Sequence, residues 1–285
     1  MADLGGLKTE IKKAALECCS VSGVVDARPF AELEAVYSTY EGAAHAAYIG
    51  RNAATRADIK RWFPSAKSVL LCAFSYWEPG HPAPLVPQEQ LDSFPLRYRK
   101  RMGAAPENGL YKPARFALCR DYHKEVSARL EQLLLKIKTL APETEGRVFV
   151  DSSPVAEKPL AQRAGLGFQG RNTLLINKEL GSYFVLGGIA LSLPLEPDEA
   201  FPENLCGNCR RCVDACPTGA LSESGLNISR CLAYWLNSAQ EATPEEIAAA
   251  ARGMIAGCDL CQEACPHNAA KKKTGRLALS CKFGF

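Results

Sequence analysis

Eight of the chain's thirteen cysteines fall between Cys206 and Cys265. The first four, Cys206, Cys209, Cys212 and Cys216, stand before Pro217 in the spacing C-x2-C-x2-C-x3-C-P. Three thiolates spaced by two residues can wrap one face of a [4Fe–4S] cubane, while the fourth, ahead of proline, points away to a second cluster. A shorter run, CDLCQEACP, sets Cys258, Cys261 and Cys265 before Pro266. It lacks one ligand, which Cys231 between the runs can supply. The crossed arrangement assigns Cys206, Cys209, Cys212 and Cys265 to one cluster and Cys216, Cys231, Cys258 and Cys261 to the other. Structural zinc also takes C-x2-C pairs, but it does not ask for C-x2-C-x2-C followed by C-P. Two such clusters pass single electrons, so the segment is a wire that needs a terminus.

The rest of the composition sets the frame. The 285 residues, 47% hydrophobic and 23% charged, supply enough apolar surface for one large or two small domains without disulfides. The N-terminus, MADLGGLKTEIKKAALE, reads as an amphipathic helix rather than a signal peptide, and no apolar run approaches the ~20 residues of a membrane span. A cytoplasmic protein with no membrane contact is expected, and a monomer. Reduced thiols in that compartment point to metal rather than to a disulfide framework. Cys18, Cys19, Cys72 and Cys119 read as small buried hydrophobes, and Cys281 is a straggler. A net charge of +3 is too small to mark a nucleic-acid partner, so local clusters carry that question. Arg97-Tyr98-Arg99-Lys100-Arg101 and Lys271-Lys272-Lys273 could neutralise phosphates, and Tyr98 could stack on a base, against the plain reading of solvated charge runs.

Helical and strand-like stretches alternate through the first two hundred residues and predict an α+β or mixed α/β domain. Helices are expected over roughly 5 to 19, from Pro29 toward Tyr40, and after Asp121. Strands are expected at SGVVDA, at Ser68 to Tyr76, at RVFVD ending at Asp151, and at TLLIN and SYFVLGGIALSL. Between Trp77 and Pro113 the Pro, Gly and charge content predicts a long functional loop. EPDEAFPE, Glu196 to Glu203, reads as a linker, dividing the chain into a mixed domain (1–195) and a ferredoxin-like double-cluster domain (196–285).

The stretch VDSSPVAEKPLAQRAGLGFQGRNTLLI, then GSYFVLGGI, then CGNCRRCVDACPTGAL resembles the epoxyqueuosine reductase family. RADIKRWFPSAKSVLLCAFSY, CRDYHKEV and GCDLCQEACP extend the similarity from about Arg56 to Pro266. The resemblance implies cobalamin, held base-off with no protein histidine beneath the cobalt, in the first domain. It implies a reductase that removes the epoxide oxygen of epoxyqueuosine in tRNA, with electrons reaching cobalamin through two [4Fe–4S] clusters from a low-potential donor such as ferredoxin or flavodoxin. It implies Asp151 as proton donor and cobalamin contact, and Arg56, Leu175, Leu186, Asp259 and Leu260 as further cobalamin contacts. Read without the resemblance, Asp151 suits the cap of a helix starting at Pro154.

Asp121-Tyr122-His123 is a faint match to a cobalt-ligating histidine motif, but Val126 stands at its glycine position, so His123 is expected to pack or hydrogen-bond. The glycines of Ala164 to Asn172 lack the strand context of a dinucleotide site and suggest backbone closely approaching a bulky cofactor. Members of the family continue into a helical-repeat domain that grips tRNA, which this chain does not show, and Ala239 stands where a basic residue near the anticodon is expected. Two other readings fit the same residues: a related reductase acting on a small molecule, in the manner of reductive dehalogenases, and an electron-transfer protein whose first domain docks a partner enzyme.

Overall fold

The computed structural model describes residues 4–41, 47–77, 85–201, 204–237, 243–269 and 279. Lys271-Lys272-Lys273, Ala239 and Cys281, singled out above, lie outside the described residues. Among those described, no helix is long and apolar enough to cross a membrane.

Helix α1 (Leu4–Ala15) leads to strand β1 (Val21–Asp26), and the chain continues through β2 (Ser68–Ser75), β3 (Leu110–Pro113), the long helix α2 (Tyr122–Leu140), β4 (Gly146–Phe149), α3 (Glu157–Arg163) and β5 (Phe184–Leu191). The central sheet has the order β1-β2-β5-β4, with every neighbouring pair antiparallel. All eight residues of β2, SVLLCAFS, are buried. Successive side chains of a strand point to opposite faces, so Val69, Leu71 and Ala73 enter one core with Phe149, Leu160 and Leu186. Leu70, Cys72 and Phe74 enter a second with Ile11, Leu130 and Ile137. The sheet is thus covered on both sides, by α3 on the first and by α1 and α2 on the second, which is the mixed α/β layering that the alternation predicts.

Helix α2 starts where its sequence says it should. The Asp121 side chain accepts the His123 N–H as an N-cap, and Val126, Leu130, Leu133, Leu134 and Ile137 form the buried stripe. Cys19, Cys72 and Cys119 are buried, with Cys18 partly buried beside them, as small hydrophobes should be.

Several expectations change. Helix α1 ends at Ala15, short of residue 19, the helix after Pro29 spans only Ala31–Ser38, and TLLIN contributes just the pair Leu175–Ile176. The strand before Asp151 stops at Phe149, leaving Asp151 in a turn. The described part of the Trp77 to Pro113 segment is an ordered layer: Val86, Leu91, Phe94, Tyr98 and Tyr111 bury together with Ile255 and Ala256. β3 also pairs in parallel with β6 (Met254–Ile255) from the cysteine-rich segment. Spread among prolines and charges, these apolar residues show no period that a sequence reading can catch.

The described part of Glu196 to Glu203 is no free tether either. The Asp198 carboxylate pairs with Lys8 and Lys12 and accepts the Val24 N–H of β1. The glycines of Ala164 to Asn172 answer to the chain's own packing. Gly165 has φ +76°, and a Cβ there would stand 2.5 Å from the Glu199 carbonyl oxygen; one on Gly167 would stand 2.2 Å from that of Ile176. No cofactor is needed to explain them.

Candidate active site

Asp151 sits in the turn after β4 with φ +46°, a left-handed conformation that costs most side chains roughly 1 kcal/mol and that Asp tolerates better than most. Its N–H donates to Glu157 Oε1 at 2.6 Å, which holds the turn against the start of α3. Its carboxylate Oδ2 accepts the Tyr122 hydroxyl at 2.8 Å and lies 3.1 Å from His123 Nε2. The helix after it begins only at Glu157, with Ala156 at the cap, so Asp151 is not a helix cap. Burial, then the Asp151 carboxylate, pushes the Tyr122 phenol well above its ordinary range, so it keeps its hydrogen and donates. Burial and the same carboxylate push Glu157 up to about 8. Lys158, exposed in the wall beside it, donates from its ammonium to the Thr173 carbonyl at 3.1 Å.

The cysteines gather in two groups. Cys206, Cys209, Cys212 and Cys265 line one small cavity of about 40 Å³ with Pro266 and His267. Cys216, Cys231, Cys258 and Cys261 line a larger one of about 430 Å³. The crossed set is therefore brought together in space: the Cys265 thiol feels Cys206, Cys212 and Cys209, while Cys258 feels Cys231 and Cys216. Among the described residues no three His, Cys, Asp or Glu side chains converge on one point as around a single metal ion. Burial, then the neighbouring Asp259 carboxylate and thiols, pushes Cys258 up to about 12, so a cationic core is what would hold such groups as thiolates. Backbone N–H groups already face two of them. The Arg171 N–H donates to Cys206 Sγ at 3.3 Å. At Cys216, burial raises the thiol, but hydrogen bonds from the backbone around Leu221, Thr218 and Ala220 outweigh it and bring it below its ordinary value.

The larger cavity joins the two chemistries. Asp151, Tyr122 and Lys158 line it together with the second thiol group and with Asp259 and Leu260. An adjoining pocket, sharing Asp151, Tyr122, Lys158, Leu174, Phe184 and Val185, is lined by Leu175 and Leu186. Five of the six residues expected to contact a corrin thus line these two adjoining pockets. Arg56 is not in the described walls. It lies close enough to Glu157 and Tyr48 to act on them electrostatically, and its Nε is buried without a hydrogen-bond partner among the described residues, a donor left for an acceptor that binds nearby.

The Asp259 side chain is committed elsewhere. Its Oδ2 accepts the Arg115 N–H at 2.8 Å and lies 3.3 Å from the Arg115 guanidinium, and its Oδ1 accepts from Gln262. Arg115 also pairs with Glu263 at 2.7 Å and lies over the Trp77 and Tyr183 rings. It pins the second cysteine run to the segment after β3, a role that a lone Arg in PARFAL does not announce. Tyr122, Glu157 and Lys158 were also not singled out, because nothing in their local spacing ties them to Asp151. Tyr98 is buried, with its ring against Phe116, and is not free to stack on a base.

Several known proteins are similar to this chain. Residues 56–152 match the family described as epoxyqueuosine reductase QueG, DUF1730, and residues 205–268 match the 4Fe-4S double cluster binding domain. Epoxyqueuosine reductase of Cyclobacterium marinum is 37% identical over 223 residues, 78% of this chain and 65% of that protein. The chain belongs to the epoxyqueuosine reductase family. It spans about two thirds of the length of the curated relatives it matches. Among solved epoxyqueuosine reductases, one bound to a tRNA-Tyr epoxyqueuosine-modified stem loop matches with a TM-score of 0.76 and 26% identity, covering 98% of this chain and 72% of the other. That of Bacillus subtilis, with an aspartate-bearing catalytic loop swung out of the active site, matches with a TM-score of 0.77 and 26% identity, over 98% and 70%. The family's iron–sulfur segment and mixed α/β layering are thus both present here.

Proposed function

We propose that the chain is a cobalamin-dependent reductase that converts epoxyqueuosine to queuosine in tRNA. The observation that carries this reading is that the cavity lined by Asp151 is also lined by Cys216, Cys231, Cys258 and Cys261, so a proton donor and an electron terminus share one space. The two thiol groups ligate one [4Fe–4S] cluster each, in the crossed sets given above. Loaded in these sets, the clusters would supply a path for single electrons from a low-potential donor, ferredoxin or flavodoxin, through the site of Cys206, Cys209, Cys212 and Cys265 to that of Cys216, Cys231, Cys258 and Cys261.

When bound, cobalamin supplies a strongly reduced cobalt centre that attacks an electrophilic carbon. Leu175, Leu186 and Leu260 give it apolar walls, and Arg56 offers its unpartnered donor. Asp259 takes part through its backbone, since its carboxylate is held by Arg115. His123 is held between two carboxylates, and His267 packs on Phe168. Asp151 delivers a proton to the oxygen released from the substrate, while Tyr122 and the Glu157 carboxyl hold it at the cavity mouth. Arg97 and Arg120 line a groove of about 400 Å³ beside His123 and are the described cations best placed for tRNA phosphates.

The test is anaerobic turnover. Cluster-loaded protein is mixed with a low-potential reductant and epoxyqueuosine-bearing tRNA, with and without cobalamin, and the nucleosides are read by mass spectrometry. Queuosine that appears only with cobalamin supports the reading. If cobalamin binds and no queuosine forms, the substrate is wrong; if cobalamin does not bind, the chain is an electron-transfer protein.

A further inference from the structure

Asp151 Oδ2 accepts the Tyr122 hydroxyl at 2.8 Å and lies 3.1 Å from His123 Nε2. A group that delivers a proton must be resupplied, and these are the two side chains within hydrogen-bond reach of Oδ2 among the described contacts. Tyr122 is a poor source, since burial and the carboxylate hold its hydrogen in place. His123 is arranged differently. Its second ring nitrogen, Nδ1, lies 3.2 Å from Asp121 Oδ1, so the imidazole is strung between two carboxylates, and both nitrogens can donate only when the ring carries its second proton. Burial alone would raise Asp121, but the hydrogen bond and charge of His123 outweigh it and bring that carboxyl below its ordinary value. The ring is fixed in this setting. Asp121 is anchored as the cap of α2, and the Tyr122 ring stacks on His123 with centroids 4.0 Å apart.

The two ends of the contact open on different spaces. Asp151 is among the residues lining the large cavity and His123 is not. His123 and Asp121 are among those lining the groove with Arg97 and Arg120, and Asp151 is not. The His123–Asp151 pair therefore joins that groove to the place where a substrate would react.

Resting on the reading that Asp151 delivers the proton, we propose that His123 is a positioning and relay residue that feeds it. His123 Nε2 gives its proton to the Asp151 carboxylate, and the acid so formed passes a proton to the oxygen leaving the substrate. One proton leaves the imidazolium, one reaches the substrate oxygen, and the carboxylate ends as it began. The neutral ring, exposed to the groove, takes its next proton from water. The other charged and titratable groups around Asp151 are Glu157 behind its backbone, Lys158 in the cavity wall, and Tyr48 and Arg56 nearby; none of their side chains hydrogen-bonds its carboxyl among the described contacts.

The test uses the protein loaded with clusters and cobalamin. Single-turnover queuosine formation is followed in wild type, His123→Ala and His123→Gln, with reduction of the bound cobalt as a control. The relay predicts that His123→Ala slows product formation about 10²-fold without slowing cobalt reduction, that added imidazole restores much of the loss, and that His123→Gln, which keeps a hydrogen bond but carries no proton, stays slow. His123→Gln turning over like wild type, or His123→Ala unmoved by imidazole, overturns it. Should the wild type make no queuosine, the substrate reading has failed and the relay is judged on the ring itself. ¹H–¹⁵N spectra of the oxidised protein then show a ring N–H on His123 Nε2 whose signal shifts or vanishes in Asp151→Ala. A wild-type ring with no hydrogen on Nε2 across the pH range of activity overturns the relay.

Discussion

The two walls of the large cavity are built on opposite principles. The proton wall is open and held by side-chain hydrogen bonds: the Asp151 side chain is 58% exposed, that of His123 is 38% exposed, and the turn keeps a left-handed residue in place through one bond to Glu157. The electron wall is more enclosed, with Cys258 and Cys261 hemmed in beside the Arg115, Asp259 and Glu263 ion cluster. Protons come from water, so their donor has to reach it; a low-potential cluster is tuned by burial and by N–H groups on its sulfurs. Damage to one wall should therefore leave the other working.

The sharpest way to break this division is to remove a cluster ligand. Cys258→Ser should abolish reductive turnover while retaining the signal of the cluster held by Cys206, Cys209, Cys212 and Cys265, as read by iron content and electron paramagnetic resonance. Cys265→Ser should instead damage that other cluster; if it harms the Cys258 site, the crossed pairing is wrong. Next in size, Asp151→Asn should lower product formation by about 10²- to 10⁴-fold, with both cluster signals intact.

Arg115→Ala attacks the join between the cysteine runs and the segment after β3. Loss of the guanidinium leaves Asp259 a buried carboxylate short of its cation, and a cost of about 3–5 kcal/mol is expected in denaturant unfolding of the anaerobic protein. The smallest effect concerns Glu157. Its carboxyl is raised to about 8 in the folded state from an ordinary 4.5, so the folded chain binds the extra proton between those values. That contribution to stability is fully present below about 4.5 and is lost as the pH rises through about 8. Glu157→Gln, which keeps an oxygen for the Asp151 N–H, should be flatter over that window, and melting temperatures measured against pH would show the two curves diverging upward of pH 5.

The electron wall was legible in the sequence because ligation by thiolates fixes spacing locally. C-x2-C-x2-C-x3-C-P can be read without a fold, and the crossed sets lie where that spacing sends them. Asp151 was named through a family resemblance and His123 was expected to pack or hydrogen-bond, yet nothing tied Tyr122 or His123 to Asp151, since they come from a helix start twenty-eight and more residues away. The glycines at 165 and 167 were visible but misread, because a close approach looks the same in sequence whether the neighbour is a cofactor or the carbonyl of Glu199 or Ile176. The layer formed by Val86, Tyr98 and Tyr111 with Ile255 was hidden for a related reason: its apolar residues follow no period and find their partners far along the chain.

The most direct measurement is a paired anaerobic single-turnover experiment on Asp151→Asn and wild type, loaded with clusters and cobalamin and given epoxyqueuosine-bearing tRNA. Cobalt reduction is read by absorbance and the product by mass spectrometry. If protons and electrons enter from separate walls of one cavity, the two proteins reduce cobalt at the same rate and only the wild type forms queuosine. Equal queuosine formation by Asp151→Asn, or a failure of that variant to reduce the cobalt, would contradict the account.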